Sequence, residues 1–181
     1  MYSLALRVGE MFGLRWANVE LPEQGEGLVH IVEQLSRAEK DRYTGLKTSG
    51  SERVLPISPE LAIELKLQKL RQKEALLKIG MVWNESLPVL SNAVGGAVKH
   101  DMFLVAYSSL VKNLGLQSTG THDARHTRLT LMGNSGMDAK TLSRFAGHSD
   151  VAFTLNVYVT PSQDAAKAAV NQIDRTIYQT K

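Results

Sequence analysis

THDARHTRLTLMGNSGMDAKTLSRFAGHSDVAFTLNVYVT, residues 121–160, decides the reading of this chain. It holds His122 and Arg125, then a Gly147-His148 pair 22 residues after the arginine, then Tyr158 ten residues after the second histidine. Arginine offers a planar fork of N–H donors that fits a phosphate. Histidine moves protons near neutral pH or donates a hydrogen bond to developing negative charge. Tyrosine can carry a phosphoryl group covalently. Gathered in one stretch, these residues are the kit for breaking a phosphodiester with a protein nucleophile.

Each element has a plainer reading when taken alone. His122 and Arg125 are three apart, so on a helix they share a face and can meet one phosphate. A polar helix start, with Asp123 near the positive end of the dipole, would look the same. His126, next to Arg125, points about 100° away around the helix and suits a structural hydrogen bond. Gly147 ends a helix naturally, because glycine tolerates the left-handed cap conformation. It would present His148 from a tight turn, or simply leave a surface histidine. Tyr158 has an ordinary pKa near 10 and is a poor nucleophile until nearby cations lower that value. A half-buried packing role is the default for a tyrosine.

The whole block resembles the C-terminal motifs of the tyrosine recombinases, the phage-integrase family. A second stretch, LALRVGEMFGLRW at residues 4–16, resembles that family's first motif, in which an arginine precedes a glutamate by three residues. The resemblance implies that Arg7 and Arg125 neutralise the non-bridging oxygens of the scissile phosphate. It also implies that His122 and His148 serve the same phosphate, that Tyr158 is the nucleophile, and that Glu10 orients Arg7. GLKTSGSERVLPI, residues 45–57, resembles the family's lysine-bearing hairpin. Lys47 there is the expected acid for the leaving 5′ oxygen, with Lys40 as the fallback. Lys140 and Arg144, four apart and so on one helix face, are expected to contact backbone phosphates; a solvated basic face is the alternative. Arg15 is assigned a structural place. Ala124 and Ala146 stand where the family often has leucine, and Asn18 where aspartate is common. These are packing or capping positions.

Composition is consistent with this and decides little. The chain has 181 residues, 43% apolar and 22% charged, enough for one domain with a proper core. It has no cysteine, which excludes disulfides and thiolate metal sites and fits a reducing cytoplasm. No apolar run approaches the roughly 20 residues of a membrane span, and no signal peptide opens the sequence. Net charge is +3 with a pI near 9.2, compatible with a polyanionic partner.

Periodicity predicts a helix over residues 3–16 and strands at Leu28–Val32 and Val54–Ile57, joined through hairpin-like connections in the polar stretch Lys40–Arg53. A helix is expected from Pro59 to about Ile79, and Leu87–Leu90 reads as a short strand or an extended loop. Further helices are expected at Asp101–Leu114, His122–Asn134, Asp138–Phe145, Val151–Val157 and Ser162–Tyr178. The fold class is therefore mainly helical α+β. The resemblance specifies the tyrosine-recombinase catalytic-domain fold with a small antiparallel sheet.

In that reading, residues 1–181 form a single catalytic domain, a fragment without the family's N-terminal DNA-binding domain and the catalytic domain's first helix. The implied activity is site-specific recombination of double-stranded DNA attachment sites through a 3′-phosphotyrosyl bond, without metal, ATP or other cofactor. A tetramer on DNA is implied, with a monomer in isolation allowed; Ser162–Tyr178 would dock on a neighbouring protomer. The alternatives are a type IB topoisomerase-like relaxing enzyme and a catalytically inactive DNA-binding remnant. His122 argues against the first, since topoisomerases usually carry lysine or arginine there.

Overall fold

Alternating burial along two strands, Gly27–Ile31 (β2) and Arg53–Ile57 (β5), builds the platform on which the rest of the chain is mounted. The computed structural model describes residues 3–38, 42–46, 51–116 and 120–148, together with 152, 167, 170 and 171. β2 pairs antiparallel with β5, placing Val29 opposite Leu55 and Ile31 opposite Arg53. The short strand Val19–Glu20 (β1) adds to the other edge of β2, giving the order β1-β2-β5. Because side chains alternate with period two, Arg53, Leu55 and Ile57 all point inward. An arginine thus enters the face that otherwise builds the core.

Glu33–Ser36 (β3) and Arg42–Gly45 (β4) form a separate antiparallel hairpin, with Leu35 opposite Tyr43. It packs against the helix Val8–Gly13 (α1). A Cβ on Gly13 would lie 2.6 Å from the Gln34 Cα, so only glycine permits this approach. Arg15 clamps the hairpin from the other end. Its Nε and Nη2 donate to the Glu33 carboxylate at 2.6 and 2.5 Å, and its guanidinium covers the Tyr43 ring.

The helices follow: Pro59–Lys78 (α2), His100–Asn113 (α3), Thr121–Asn134 (α4) and Ala139–Ala146 (α5). Ser58 caps α2, its Oγ accepting from the Leu61 N–H, and Pro59 occupies the first turn where no donor is needed. Asp138 caps α5 in the same way through the Thr141 N–H. The main core gathers Phe12, Trp16, Val29, Ile31, Leu55 and Ile57; a second joins Ala5, Leu129, Met132, Leu142 and Ala146. Phe145 packs against both. It is the seam between the sheet side and the α4–α5 side.

The architecture is the expected mainly helical α+β fold with a small antiparallel sheet. The helix expected over 3–16 is shorter, Val8–Gly13 only. Arg7 is extended, and Ala5 adopts a left-handed backbone with φ 47°. The flanking Leu4, Leu6, Leu14 and Trp16 are apolar because they are buried, not because they are helical. Residues 87–90 take the extended-loop alternative, hydrogen-bonding to 14–16 through Val89 N–H to Leu14 O and Trp16 N–H to Leu87 O. The helices expected at Val151–Val157 and Ser162–Tyr178 lie almost wholly outside the described residues.

Candidate active site

Glu10 organises the site. Its side chain is 1% exposed, and its carboxylate receives four N–H donors, two on each oxygen. Oε1 accepts from Arg7 Nη1 at 2.9 Å and Arg53 Nη1 at 3.0 Å. Oε2 accepts from the Arg7 backbone N–H and from Arg53 Nη2, both at 2.8 Å. Since a carboxylate offers about four lone-pair positions, this one is saturated. Burial alone would raise its pKa, but the hydrogen bonds and charges of Arg53 and then Arg7 outweigh that and hold it below the usual value. Removing one partner of a buried pair of this kind typically costs about 3–5 kcal/mol.

Arg7, the residue before α1, therefore has its guanidinium aimed by Glu10. Its remaining fork donates through Nη2 to the Gly147 carbonyl at 2.8 Å, and the side chain stays 37% exposed. Arg125 approaches from α4 and is 4% exposed. Its Nη1 donates to the Ala5 carbonyl, and its Nη2 to the Ala146 carbonyl at 2.6 Å. The two arginines, far apart in the sequence, thus hold adjacent carbonyls of one turn. The left-handed backbone at Ala5, which costs about 1–2 kcal/mol in a non-glycine residue, occurs where that residue's carbonyl receives Arg125.

The turn they grip is the end of α5. Gly147 takes φ 66°, its N–H bonds the Arg144 carbonyl, and the His148 N–H bonds the Ser143 carbonyl. This is a Schellman closure, and it brings His148 back over the helix end. His148 Nε2 lies 3.1 Å from Arg125 Nη2. A guanidinium can only donate, so Nε2 is the acceptor and the ring proton sits on Nδ1. Burial, followed by the charges of Arg125, Arg7 and Arg53, pushes the His148 pKa down to about 4, with Glu10 opposing weakly. The imidazole is neutral at physiological pH and can act there as a hydrogen-bond donor.

The other expected residues are placed as follows. His122 is exposed, one turn before Arg125 on α4. Asp123 has the plainer role foreseen for it, accepting the Gly120 N–H at 2.6 Å to start the helix. His126 is exposed, its Nδ1 3.5 Å from the Thr130 hydroxyl. Lys140 and Arg144 are both exposed on α5. Lys47, its fallback Lys40, and Tyr158 lie outside the described residues. Among the described residues no group of three His, Asp or Glu side chains could hold a metal ion.

One residue of the cluster was not singled out from the sequence: Arg53. Its Nε donates to the Phe145 carbonyl at 2.9 Å and its Nη1 to the Ser51 carbonyl at 3.0 Å, besides the fork on Glu10. The available signal was its register, since it stands two and four residues before the inward-facing Leu55 and Ile57.

Comparison with known proteins identifies the family and the fold. The phage integrase family model matches residues 1–164. A XerC-like tyrosine recombinase of Caldanaerobacter subterraneus is 28% identical over 90% of this chain and 44% of its own length. The transposase of transposon Tn916 from Enterococcus faecalis is 26% identical over 100% of this chain and 45% of its own length. The chain spans about half the length of the curated relatives it matches. Among solved structures, the Tn1549 transposon integrase in complex with transposon right end DNA superimposes with a TM-score of 0.74, at 22% identity, over 94% of this chain and 56% of that one. The XerH site-specific recombinase bound to difH substrate gives 0.63 at 18% identity, over 93% and 43%. The likeness to these structures establishes the fold.

Proposed function

The chain belongs to the phage integrase family, and from that premise we propose that it is the catalytic domain of a site-specific DNA recombinase. The observation that carries the reading is the convergence of Arg7 and Arg125 on the adjacent Gly147 and Ala146 carbonyls, beside His148. Two guanidinium groups share the buried Glu10 carboxylate and a third, that of Arg125, lies beside His148, so the cluster is net positive and suits a phosphodiester.

In this mechanism Arg7 and Arg125 bind the two non-bridging oxygens, and His148 donates a hydrogen bond to one of them. Their donors stabilise the charge that builds as phosphorus becomes five-coordinate. The Tyr158 oxygen attacks phosphorus as His122 takes the phenol proton. The new bond is a 3′-phosphotyrosine; the bond that breaks runs from phosphorus to the 5′ oxygen, which receives a proton from Lys47. A 5′ hydroxyl from a partner strand then attacks the phosphotyrosine and restores the protein. The number of phosphodiester bonds is unchanged, so no ATP is consumed. Double-stranded DNA is the partner, a tetramer on two duplexes is the working assembly, and a further DNA-clamping domain completes the enzyme.

The test is covalent trapping on a nicked suicide duplex carrying the cognate crossover sequence. The unaltered protein should form a denaturant-resistant adduct, and Tyr158→Phe should form none while binding DNA nearly as well. An adduct in the phenylalanine variant moves the nucleophile to another tyrosine. No adduct in the unaltered protein, with binding intact, leaves the DNA-binding remnant as the reading. Relaxation of supercoiled DNA without strand exchange would favour the topoisomerase.

A further inference from the structure

We propose that Arg53 is a positioning residue of the site, holding Arg7, the Gly147–His148 turn and the base of the Lys47-bearing connection in one geometry from behind. The inference rests on the recombinase reading and extends it to a residue that does not touch the substrate. The Arg53 side chain is 1% exposed, packed behind Glu10 and the end of α5. Its planar head spends its donors on three separate segments.

Each segment serves the site. Glu10 shares its carboxylate between Arg53 and Arg7, so the position of one guanidinium fixes that of the other. Phe145, whose carbonyl accepts from Arg53 Nε, lies in the last turn of α5, three residues before His148. Ser51, whose carbonyl accepts from Nη1, follows directly on residues 47–50, where Lys47 resides. Gly147 adds a fourth contact: a Cβ there would meet the Arg53 head group. Arg53 is thus the point at which the sheet, α1 and the end of α5 are tied together. A lysine would keep a positive charge beside Glu10 but lacks the planar fork that reaches all three segments.

The experiment compares single-turnover adduct formation and DNA binding, from pH 5.5 to 8.5, for the unaltered protein, Arg53→Lys, Arg53→Met and Arg53→Met/Glu10→Gln. Arg53→Lys should bind DNA within about twofold yet cleave roughly 10- to 100-fold more slowly, the penalty of a misplaced reacting group. Its pH profile should match that of the unaltered protein. Arg53→Met should be slow and gain a rise in rate with pH, because Glu10, left buried with Arg7 alone, titrates higher. Adding Glu10→Gln should abolish that rise without restoring the rate. Cleavage by Arg53→Lys at the unaltered rate overturns the proposal. So does a loss of DNA binding in step with cleavage, the mark of a residue that merely supports the fold. Arg53→Lys decides the matter alone if the methionine variant does not fold. An unaltered protein that forms no adduct removes the recombinase reading and this inference together; an active one with an indifferent Arg53 removes the inference only.

Discussion

A Cβ on Gly147 would lie 2.6 Å from Nη1 of Arg53, closer than a carbon can come to a guanidinium nitrogen without displacing it. Gly147 also needs its φ of 66° to fold the chain back over α5. Two independent constraints, one local and one tertiary, therefore select glycine at this position. Gly147→Ala should lose about 1–2 kcal/mol from the left-handed backbone alone, with more from displacement of Arg53. Urea unfolding measures the loss. A midpoint equal to that of the unaltered protein would show that neither constraint operates in solution.

His148 supplies a pH prediction. Its pKa falls from the ordinary 6.5 to about 4 on folding, so between those values the unfolded chain binds a proton that the folded one refuses. Stability from this group is present above about pH 6.5, declines as pH falls, and is lost by about pH 4. Glu10, also held below its ordinary value, adds a further loss at lower pH. In His148→Gln the first slope should vanish, reducing proton uptake on unfolding by up to about one proton in that window. Unfolding curves taken at half-unit pH steps provide the check, and identical slopes in the two proteins would refute it.

Lys47 should matter only for departure of the 5′ oxygen. Lys47→Ala is expected to be slow on an ordinary phosphodiester and largely rescued by a bridging 5′-thio substitution, whose leaving group needs no proton. Rescue of Lys40→Ala in its place would transfer the role to Lys40.

Lys140 and Arg144 are exposed on the helix that ends at Gly147. If both meet backbone phosphates, the double alanine variant should flatten the slope of log affinity against log salt by roughly 1.8. An unchanged slope would make them a solvated face.

Much of the fold is legible along the chain because its signals are local. Ser58 with Pro59 announces α2, Asp138 announces α5, and Gly147 ends it; each satisfies backbone groups within a few residues of itself. β2 and β5 declare themselves by alternation. The motif spacing likewise singled out Arg7, Glu10, Arg125 and His148, which the fold brings into one cluster. The helix over 3–16 was overdrawn because burial produces the same apolar composition in a turn as in a helix.

Arg53 shows where local reasoning stops. On its own strand it is a charged residue in register with Leu55 and Ile57, and nothing nearby says what would neutralise it. The answer comes from Glu10, 43 positions away, and the Phe145 carbonyl, 92 positions away. The grip of Arg7 on Gly147 spans 140 positions, and that of Arg125 on Ala5 spans 120. The sequence by itself determined which side chains have the chemistry for a phosphate and where β2, β5, α2, α4 and α5 lie, since those depend on side-chain chemistry and short-range hydrogen bonding. Only the tertiary structure decided which guanidinium groups share which acceptors. That depends on two packed cores meeting at Phe145, and no short-range pattern encodes such a meeting.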